Sequence, residues 1–246
     1  MAHQQIHFRS EAREKVLRGA TALADAARVT LRIPCGAVTL EGELAIPPGA
    51  SGVVVFAHGS GSSRHSPRNQ FVARVIRESG NGTLIFDLLT AEEEAEDDLT
   101  ARLRFDIGLL ARRLVEVTRW LITQPATRSL GIGYFGASTG GAAALVAAAE
   151  AGRRIDAVVS RGGRPDLAGD ALPRVAAPTL LIVGEYDEVV IGLNEEAFAE
   201  LRCEKEMKIV SGATHLFEEH GALEMVAQLA SDWFCRHLRS HPEAAD

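Results

Sequence analysis

A serine flanked by glycines could act as a nucleophile. Ser138 lies at the centre of G-A-S-T-G, residues 136–140, which fits the pattern G-x-S-x-G. Apolar residues precede this segment and an alanine-rich stretch, residues 142–149, follows it. The pattern predicts a strand, a sharp turn that exposes the serine hydroxyl, and a helix. The free N–H groups at the start of that helix would face any negative charge that develops beside Ser138. A glycine-rich turn without chemistry fits the same short pattern.

An acid and a base follow the serine in the order that a hydrolytic triad needs. Asp187 comes after the apolar run 179–183, and His215 comes after the predicted strand 205–210. Since each residue follows a core strand, we expect all three at one edge of the sheet. A serine hydroxyl is a weak nucleophile without a base within hydrogen-bond reach. Histidine is suited to that role, and a carboxylate fixes its tautomer.

The acid and the base of the predicted triad each have rivals. Glu185 and Glu188 are alternative acids, and Asp187 could merely cap the following helix. His220 is an alternative base, although it follows two glutamates near a predicted helix start. Asp187 and His215 fit the ends of the strands best, and we favour them.

A glycine-rich loop, residues 58–64, follows the apolar strand 53–57. Ligands bind at such carboxyl ends in open α/β sheets. The loop could offer backbone N–H groups to an oxyanion. A phosphate-cradling loop is the rival interpretation, but the Gly-Lys-Ser/Thr ending of a P-loop is absent. We expect His58 to brace this loop by hydrogen bonds rather than to act as the base.

Strands and helices alternate along the chain, which predicts one mostly parallel sheet with short connections. The pattern predicts strands at 29–33, 38–46, 53–57, 83–87, 130–135, 155–160, 179–183 and 205–210, and helices at 70–79, 99–123, 142–149, 194–201 and 223–238. The first two strands form a hairpin. Helix 99–123 is expected to be continuous or broken near Gly108. The acidic run 91–98 is expected to be a solvated loop or a lid, and residues 161–166 an exposed basic loop.

Composition limits the classes of function. The chain has 246 residues, 46% hydrophobic residues and a net charge of −7, which argues against a nucleic-acid partner or an anionic membrane surface. No apolar run approaches the roughly 18 residues that span a bilayer. The polar N-terminus has no signal-peptide core, so we expect a cytoplasmic protein. Three widely spaced cysteines indicate reduced thiols, neither a disulfide framework nor a metal site.

The N-terminal segment is expected to be a helical extension, residues 1–30, ahead of a domain at 31–240 and a tail at 241–246. Residues 8–31, FRSEAREKVLRGATALADAARVTL, resemble the N-terminal helix of group I chaperonins. The resemblance stops at Arg32, and the glycine-rich nucleotide-binding signatures do not follow, so chaperonin ATPase activity is not implied. The helix would pack on the core or on a second subunit, which makes it a candidate homodimer interface.

Residues 38–238 resemble the dienelactone-hydrolase-like branch of the α/β-hydrolase superfamily. The matching segments are FAHGSGS at 56–62, FGASTGG at 135–141, VGEYD at 183–187 and GATHLF at 212–217. The resemblance implies an α/β-hydrolase fold: a mostly parallel sheet with an N-terminal antiparallel hairpin, helices on both faces and here an extra N-terminal helix. The name-giving members carry cysteine where this chain has Ser138. Hydrolytic chemistry is therefore implied, but dienelactone as the substrate is not.

The resemblance also implies an oxyanion hole made of two backbone N–H groups. One belongs to Thr139, and the other to Ser60, with Gly59 as the next choice. Basic side chains on loops near the same edge are candidates to bind a substrate carboxylate, although simple solvent exposure explains them equally well: Arg64, His65, Arg68, Arg161 and Arg164.

The function expected from the sequence is hydrolysis of a small ester or lactone through an acyl-enzyme. Ser138 is the nucleophile, His215 the base and Asp187 the orienting acid. No metal or organic cofactor is expected, and the partner is a small-molecule substrate. Two alternatives stay open: a non-catalytic or chaperone-associated binding module on a hydrolase scaffold, and another acyl-transfer reaction.

Overall fold

One sheet of eight strands organises the protein. A computed structural model describes residues 28–241. Within them the strand order is β1-β2-β4-β3-β5-β6-β7-β8. The strands are β1 (Arg28–Cys35), β2 (Val38–Ala45), β3 (Gly52–Ala57), β4 (Gly82–Phe86), β5 (Gly131–Ala137), β6 (Ala157–Arg161), β7 (Thr179–Gly184) and β8 (Lys205–Val210). The pairs β1–β2 and β2–β4 are antiparallel and the other five are parallel. The predicted parallel sheet with an N-terminal hairpin is confirmed.

Helices cover both faces of this sheet, as predicted. They are α1 (Pro67–Glu78), α2 (Ala91–Thr100), α3 (Ile107–Leu121), α4 (Thr139–Ala151), α5 (Glu188–Glu200) and α6 (Ala222–His237), with 3₁₀ segments at Leu103–Phe105, Gly152–Arg154 and Pro165–Arg174. Successive side chains of β3 point to opposite faces. Val53 and Val55 therefore join the core under α3 and α4, whereas Val54 and Phe56 join the core under α1 and α6.

The acidic stretch is helical, so the prediction of a solvated loop at 91–98 was wrong. A capping box starts α2: Thr90 Oγ1 accepts the Glu93 N–H (3.2 Å) and Glu93 Oε2 accepts the Thr90 N–H (2.8 Å). The first turn also carries Glu92 and Glu94, where negative charge favours the helix dipole. Local capping thus outweighs the repulsion between neighbouring acids.

Residues 99–123 do not form one continuous helix: the break, residues 101–106, lies just before Gly108, near the position that the sequence indicated, while Gly108 itself lies inside α3. Ala101 adopts a left-handed conformation (φ 52°) that ends α2. The carboxylate of Asp97 then accepts the N–H groups of Leu103 (2.6 Å) and Arg104 (3.2 Å). Asp106 caps the start of α3. Two aspartates and one left-handed residue therefore divide the segment, while its apolar period continues across the break.

Three further boundaries differ from the sequence expectations. Helix α5 begins at Glu188 rather than at residue 194, and α1 begins at Pro67, capped by Ser66. The expected basic loop after residue 160 is the end of β6 followed by a 3₁₀ segment, and Arg161 is buried there. The expected helix within residues 1–30 lies almost wholly outside the described residues, of which β1 is the first element.

Candidate active site

Ser138 sits on a strained turn between β5 and α4. Its backbone angles are φ 51° and ψ −122°, which non-glycine residues rarely adopt. The neighbouring strand end holds the turn: the Ser138 N–H donates to the carbonyl of Arg161 (3.2 Å). The Ser138 carbonyl accepts the N–H groups of Gly141 (2.9 Å) and Arg164 (3.2 Å). The strain at Ser138 is thus supported by hydrogen bonds from two directions.

The glycines beside the serine are required by close approach of the backbone. A Cβ at Gly136 would collide with the carbonyl oxygen of Gly140, and a Cβ at Gly140 would collide with the carbonyl oxygen of Ala57. Strand β5, strand β3 and the start of α4 therefore meet without room for any side chain. This is the packing that a nucleophile elbow needs.

Asp187 and His215 are joined by a short hydrogen bond. His215 Nδ1 lies 2.6 Å from Asp187 Oδ2, and the two side chains are 38% and 15% exposed. Because a carboxylate only accepts, this bond keeps a proton on Nδ1 and leaves Nε2 to act on another group. The loop that carries His215 is fixed by Glu219, which accepts the Thr214 N–H (3.1 Å) and hydroxyl (2.6 Å).

The rival acids and base have other positions. Glu185 accepts the Gly212 N–H (2.7 Å) and the Ser211 hydroxyl (2.9 Å), and these bonds lower the pKa of Glu185. Glu188 is in the first turn of α5. His220 is exposed and lines a separate surface groove. The geometry therefore favours the pair formed by Asp187 and His215.

Ser138 and His215 face one cleft of about 220 Å³. The cleft is lined by Gly59, Ser60, Ser62, Ser66, Arg68, Asn69, Ala137, Ser138, Arg161, His215 and Leu216. Asp187 stands behind His215, away from the cleft surface. The structure thus brings together the three side chains that the sequence separates by 49 and 28 positions (187 − 138 and 215 − 187).

The oxyanion loop has one N–H group already engaged. The Ser60 N–H donates to Thr139 Oγ1 (3.0 Å), so this group is occupied in the present conformation. Gly59 lies directly against the nucleophile, since a Cβ there would be 3.0 Å from the Ser138 Cβ. The Thr139 N–H is in the first turn of α4, where backbone donors have no acceptor in the helix. In this structure the Ser60 N–H is therefore engaged by Thr139, and Gly59 is the loop residue packed against Ser138.

His58 braces the same loop, which fits the role expected for it. Its Nε2 accepts the Leu88 N–H (3.0 Å), which leaves Nδ1 as the donor to the Gly59 carbonyl (3.0 Å). Burial lowers the pKa of His58. A neutral imidazole with both nitrogens engaged ties the oxyanion loop to the end of β4.

The structure does not bring Arg64 and His65 to the cleft. The Arg64 guanidinium forms ion pairs with Asp87 and with Glu41 (2.7 Å for the latter). His65 lines a different surface groove beside α1. Arg64 does not reach the cleft because the Asp87 carboxylate, which follows β4, attracts its guanidinium away from Ser138.

Of the five basic side chains named as candidates, Arg161 and Arg68 line the cleft, whereas Arg164 is paired with Asp166 (2.8 Å). Arg161 is the more buried of the two that line it. It is only 7% exposed. Burial, and secondarily the charge of Arg68, lowers the pKa of Arg161 to about 10. Ser66 and Asn69, at the start of α1, also line the cleft and were missed. The Ser-Pro helix start just after the oxyanion loop was the available signal.

Metal-binding clusters, membrane-spanning helices and free thiols were considered for the part of the chain that the structure describes. Residues 28–241 contain no group of three or more His, Cys, Asp or Glu side chains placed to hold a metal ion. No helix in that range is both long and apolar enough to cross a bilayer. Cys35, Cys203 and Cys235 are free thiols, and burial is the largest cause that raises the pKa of Cys35 to about 12.

The sheet order, the strained serine turn and the Asp–His pair after the later strands define an α/β-hydrolase fold. The model of the Dienelactone hydrolase family matches residues 40–238, and the chain belongs to that family. A crystal structure of a dienelactone hydrolase from Anabaena variabilis is 60% identical, with a TM-score of 0.85 over 86% of this chain and 98% of that one. An esterase of Pyrococcus furiosus shares the fold at 17% identity, with a TM-score of 0.69 over 85% of this chain and 91% of that one.

Two curated relatives are longer proteins. A Mycobacterium tuberculosis protein named "Putative phosphoribosyl transferase" is 58% identical over 208 residues, which are 85% of this chain and 46% of that protein. The chain thus spans about half the length of these mycobacterial relatives. A chaperonin GroEL 5 of Bradyrhizobium diazoefficiens is 71% identical over 31 residues, 13% of this chain and 6% of that protein. The short chaperonin resemblance extends no further than that.

Proposed function

We propose that the protein is a serine hydrolase that cleaves a small ester or lactone through an acyl-enzyme. One observation carries the proposal: His215 is bonded to Asp187 (2.6 Å) while it faces the same cleft as Ser138 on its strained turn. A base oriented by a carboxylate beside an exposed hydroxyl is the arrangement that nucleophilic acyl transfer requires. Membership of the Dienelactone hydrolase family supports the same reaction class.

In the first half of the reaction, His215 Nε2 takes the proton of the Ser138 hydroxyl as its oxygen attacks the substrate carbonyl. The Asp187 carboxylate stabilises the imidazolium that forms and keeps its orientation. Negative charge develops on the carbonyl oxygen. The N–H groups of Thr139 and Gly59 would receive that oxygen, and the helix α4 N-terminus adds its dipole.

Collapse of the tetrahedral intermediate expels the alcohol, to which His215 returns the proton. Water then attacks the acyl group on Ser138 with His215 again as the base, and the acid product leaves. A lactone follows the same course, but its alcohol stays attached to the acyl group. Every proton transfer uses one imidazole, and the atoms balance with the ester and one water as the reactants.

The test is a covalent probe combined with pre-steady-state kinetics. We expect wild-type protein to release a burst of p-nitrophenol from p-nitrophenyl acetate and to be labelled once by a fluorophosphonate. Ser138→Ala should lose both. Ser129→Ala is the matched control, since Ser129 precedes the opposite end of the same strand and its carbonyl accepts the His241 N–H through the backbone alone. It should keep both.

Unchanged turnover in Ser138→Ala would show that the nucleophile is misassigned. Absence of labelling in folded wild-type protein would favour a binding module on a hydrolase scaffold. Acyl transfer to an acceptor other than water would keep the label, and mass spectrometry of the products would then show an acylated acceptor in place of the free acid. None of these steps involves the phosphoribosyl transfer that the names of the longer mycobacterial relatives indicate.

A further inference from the structure

Arg161 is a buried cation whose Nε has no hydrogen-bonding partner among the residues that the structure describes. It is 7% exposed, its Nε has no acceptor, and within residues 28–241 no carboxylate lies in ion-pair range of its guanidinium. The contact that stands out is with the ring of Phe217, 5.6 Å from the guanidinium carbon. A desolvated charge is normally paired or hydrogen-bonded. The environment of Arg161 is therefore incomplete without a ligand.

Arg161 lies at the cleft that Ser138 lines. Arg161 is the last residue of β6 and pairs in register with Ala137, directly before the serine. Arg161 lines the same cleft as Ser138 and His215. A group bound to Arg161 would thus be part of the molecule whose carbonyl meets the serine.

A second guanidinium reaches the cleft from the start of α1. Arg68 donates through Nη1 to Glu218 (2.7 Å), but its buried Nε has no acceptor. Burial, and secondarily the charge of Arg68, lowers the pKa of Arg161, so the site carries a repulsion between two cations. An anion between them would remove that repulsion.

The remaining wall contains hydroxyl donors, the side chain of Asn69 and apolar groups, but no acid. None of the residues that line the cleft is Asp or Glu. The hydroxyls of Ser62 and Ser66 face it, and that of Ser66 accepts the Asn69 N–H (3.4 Å), which leaves its proton free to donate. Two guanidinium groups and two hydroxyls can donate more hydrogen bonds than a carboxylate can accept, because the two carboxylate oxygens accept mainly in one plane. A phosphate has three terminal oxygens and a charge of about −1.5 to −2.

We propose that this cleft is a phosphate subsite formed by Arg161 and Arg68, and that the substrates are esters or lactones whose acyl part carries a phosphate group. This inference rests on the proposed serine hydrolase function, which it narrows to an anionic substrate class. The subsite orients the substrate so that its carbonyl lies at Ser138 and its phosphate at the end of β6.

The kinetic test compares three p-nitrophenyl esters of similar length: the 3-phosphonopropanoate, the hemisuccinate and the pentanoate, each corrected for spontaneous hydrolysis. We expect kcat/KM for the phosphonate ester to exceed the values for the other two at least about tenfold. Arg161→Met should lower the ratio of phosphonate to pentanoate kcat/KM by a similar factor, mainly through KM. Arg119→Met is the matched control, because Arg119 is 67% exposed on α3 and should leave the ratio unchanged.

A binding test is independent of catalysis. Inorganic phosphate in chloride buffer should raise the Tm of Ser138→Ala, and the increase should disappear in Ser138→Ala/Arg161→Met. If Arg161→Met does not fold, Arg161→Lys and Arg68→Met provide the same comparison, because each variant removes one guanidinium group and its N–H donors. Circular dichroism verifies the fold of every variant.

The outcomes separate the two proposals. Hydrolysis of all three esters without a preference for the phosphonate leaves the serine hydrolase in place and overturns the phosphate subsite. An equal gain with hemisuccinate also overturns it, because the cleft would then respond to charge alone. Phosphate binding that needs Arg161, in a protein that neither hydrolyses esters nor labels at Ser138, supports the subsite and refutes the hydrolase.

Discussion

The carboxyl edge of the sheet has two halves that treat polar side chains differently. At the ends of β3 and β4, Arg64 is paired with two carboxylates, and both nitrogens of His58 are engaged. At the ends of β5 to β8, the buried Nε of Arg161 has no acceptor in the described part of the chain, and His215 uses one nitrogen on Asp187. We call the first the braced half and the second the open half. Residue type and position at a strand end do not distinguish a supporting residue from a candidate site residue. The distinction is whether the side chain has a partner within the chain.

The largest expected effect comes from the bond that orients the base in the open half. Asp187→Asn should lower kcat by about 10⁴-fold, because the amide can stabilise the wrong imidazole tautomer and carries no charge to stabilise the imidazolium. Stopped-flow assays of acyl-enzyme formation with p-nitrophenyl acetate would measure it.

Glu185→Gln is the matched control for that experiment. Glu185 is two residues away but binds Ser211 and Gly212, so its replacement should change kcat little. A larger loss in Glu185→Gln than in Asp187→Asn would reverse the assignment of the acid.

The second prediction contrasts the two arginines by stability. Arg64→Met should lower the free energy of unfolding by about 2 kcal/mol, since it leaves the carboxylate of Asp87 without its cation in a site where both side chains are under 20% exposed. Arg161→Met should raise it by about 1 kcal/mol, because an unpaired buried charge is replaced by an apolar chain of similar length. Urea titrations in phosphate-free buffer give both values.

Equal destabilisation by the two substitutions would mean that Arg161 has a structural partner, and the division into a braced and an open half would fail. We expect Arg161→Met to be more stable than the wild-type protein and to lose the preference for an anionic ester. The substitution would then gain stability at the expense of function.

The sequence was sufficient for the parts of the site that depend on local pattern. The serine turn needs glycines at fixed offsets, and the collisions predicted for side chains at Gly136 and Gly140 explain why the pattern is so specific. Asp187 and His215 could be chosen because both follow apolar runs that form core strands. The sheet brings such strand ends to one edge, whatever their separation along the chain.

The sequence does not predict which of two similar side chains will be engaged by a tertiary contact. Arg64 and Arg161 both follow core strands in glycine-containing segments, and nothing local indicates that Asp87 takes one of them. Helix α2 was missed for a related reason. The density of acids in 91–98 indicated a solvated loop, whereas the capping box at Thr90 and the arginine that meets Asp97 stabilise a helix.

The smallest expected effect lies at the boundary between the halves, where Thr139 Oγ1 accepts the Ser60 N–H (3.0 Å). Thr139→Val keeps the backbone N–H and the shape but removes the acceptor, so the oxyanion loop loses one anchor. A hydrogen bond of about 1 to 1.5 kcal/mol corresponds to a fall in kcat of roughly tenfold, with KM for p-nitrophenyl acetate almost unchanged, because the loop contacts the oxyanion more strongly than the ground-state carbonyl. Thr139→Ser restores the acceptor and should recover most of the rate. If Thr139→Val were instead faster, the bond would be holding the Ser60 N–H away from the substrate, and Ser60 rather than Gly59 would be the second oxyanion donor.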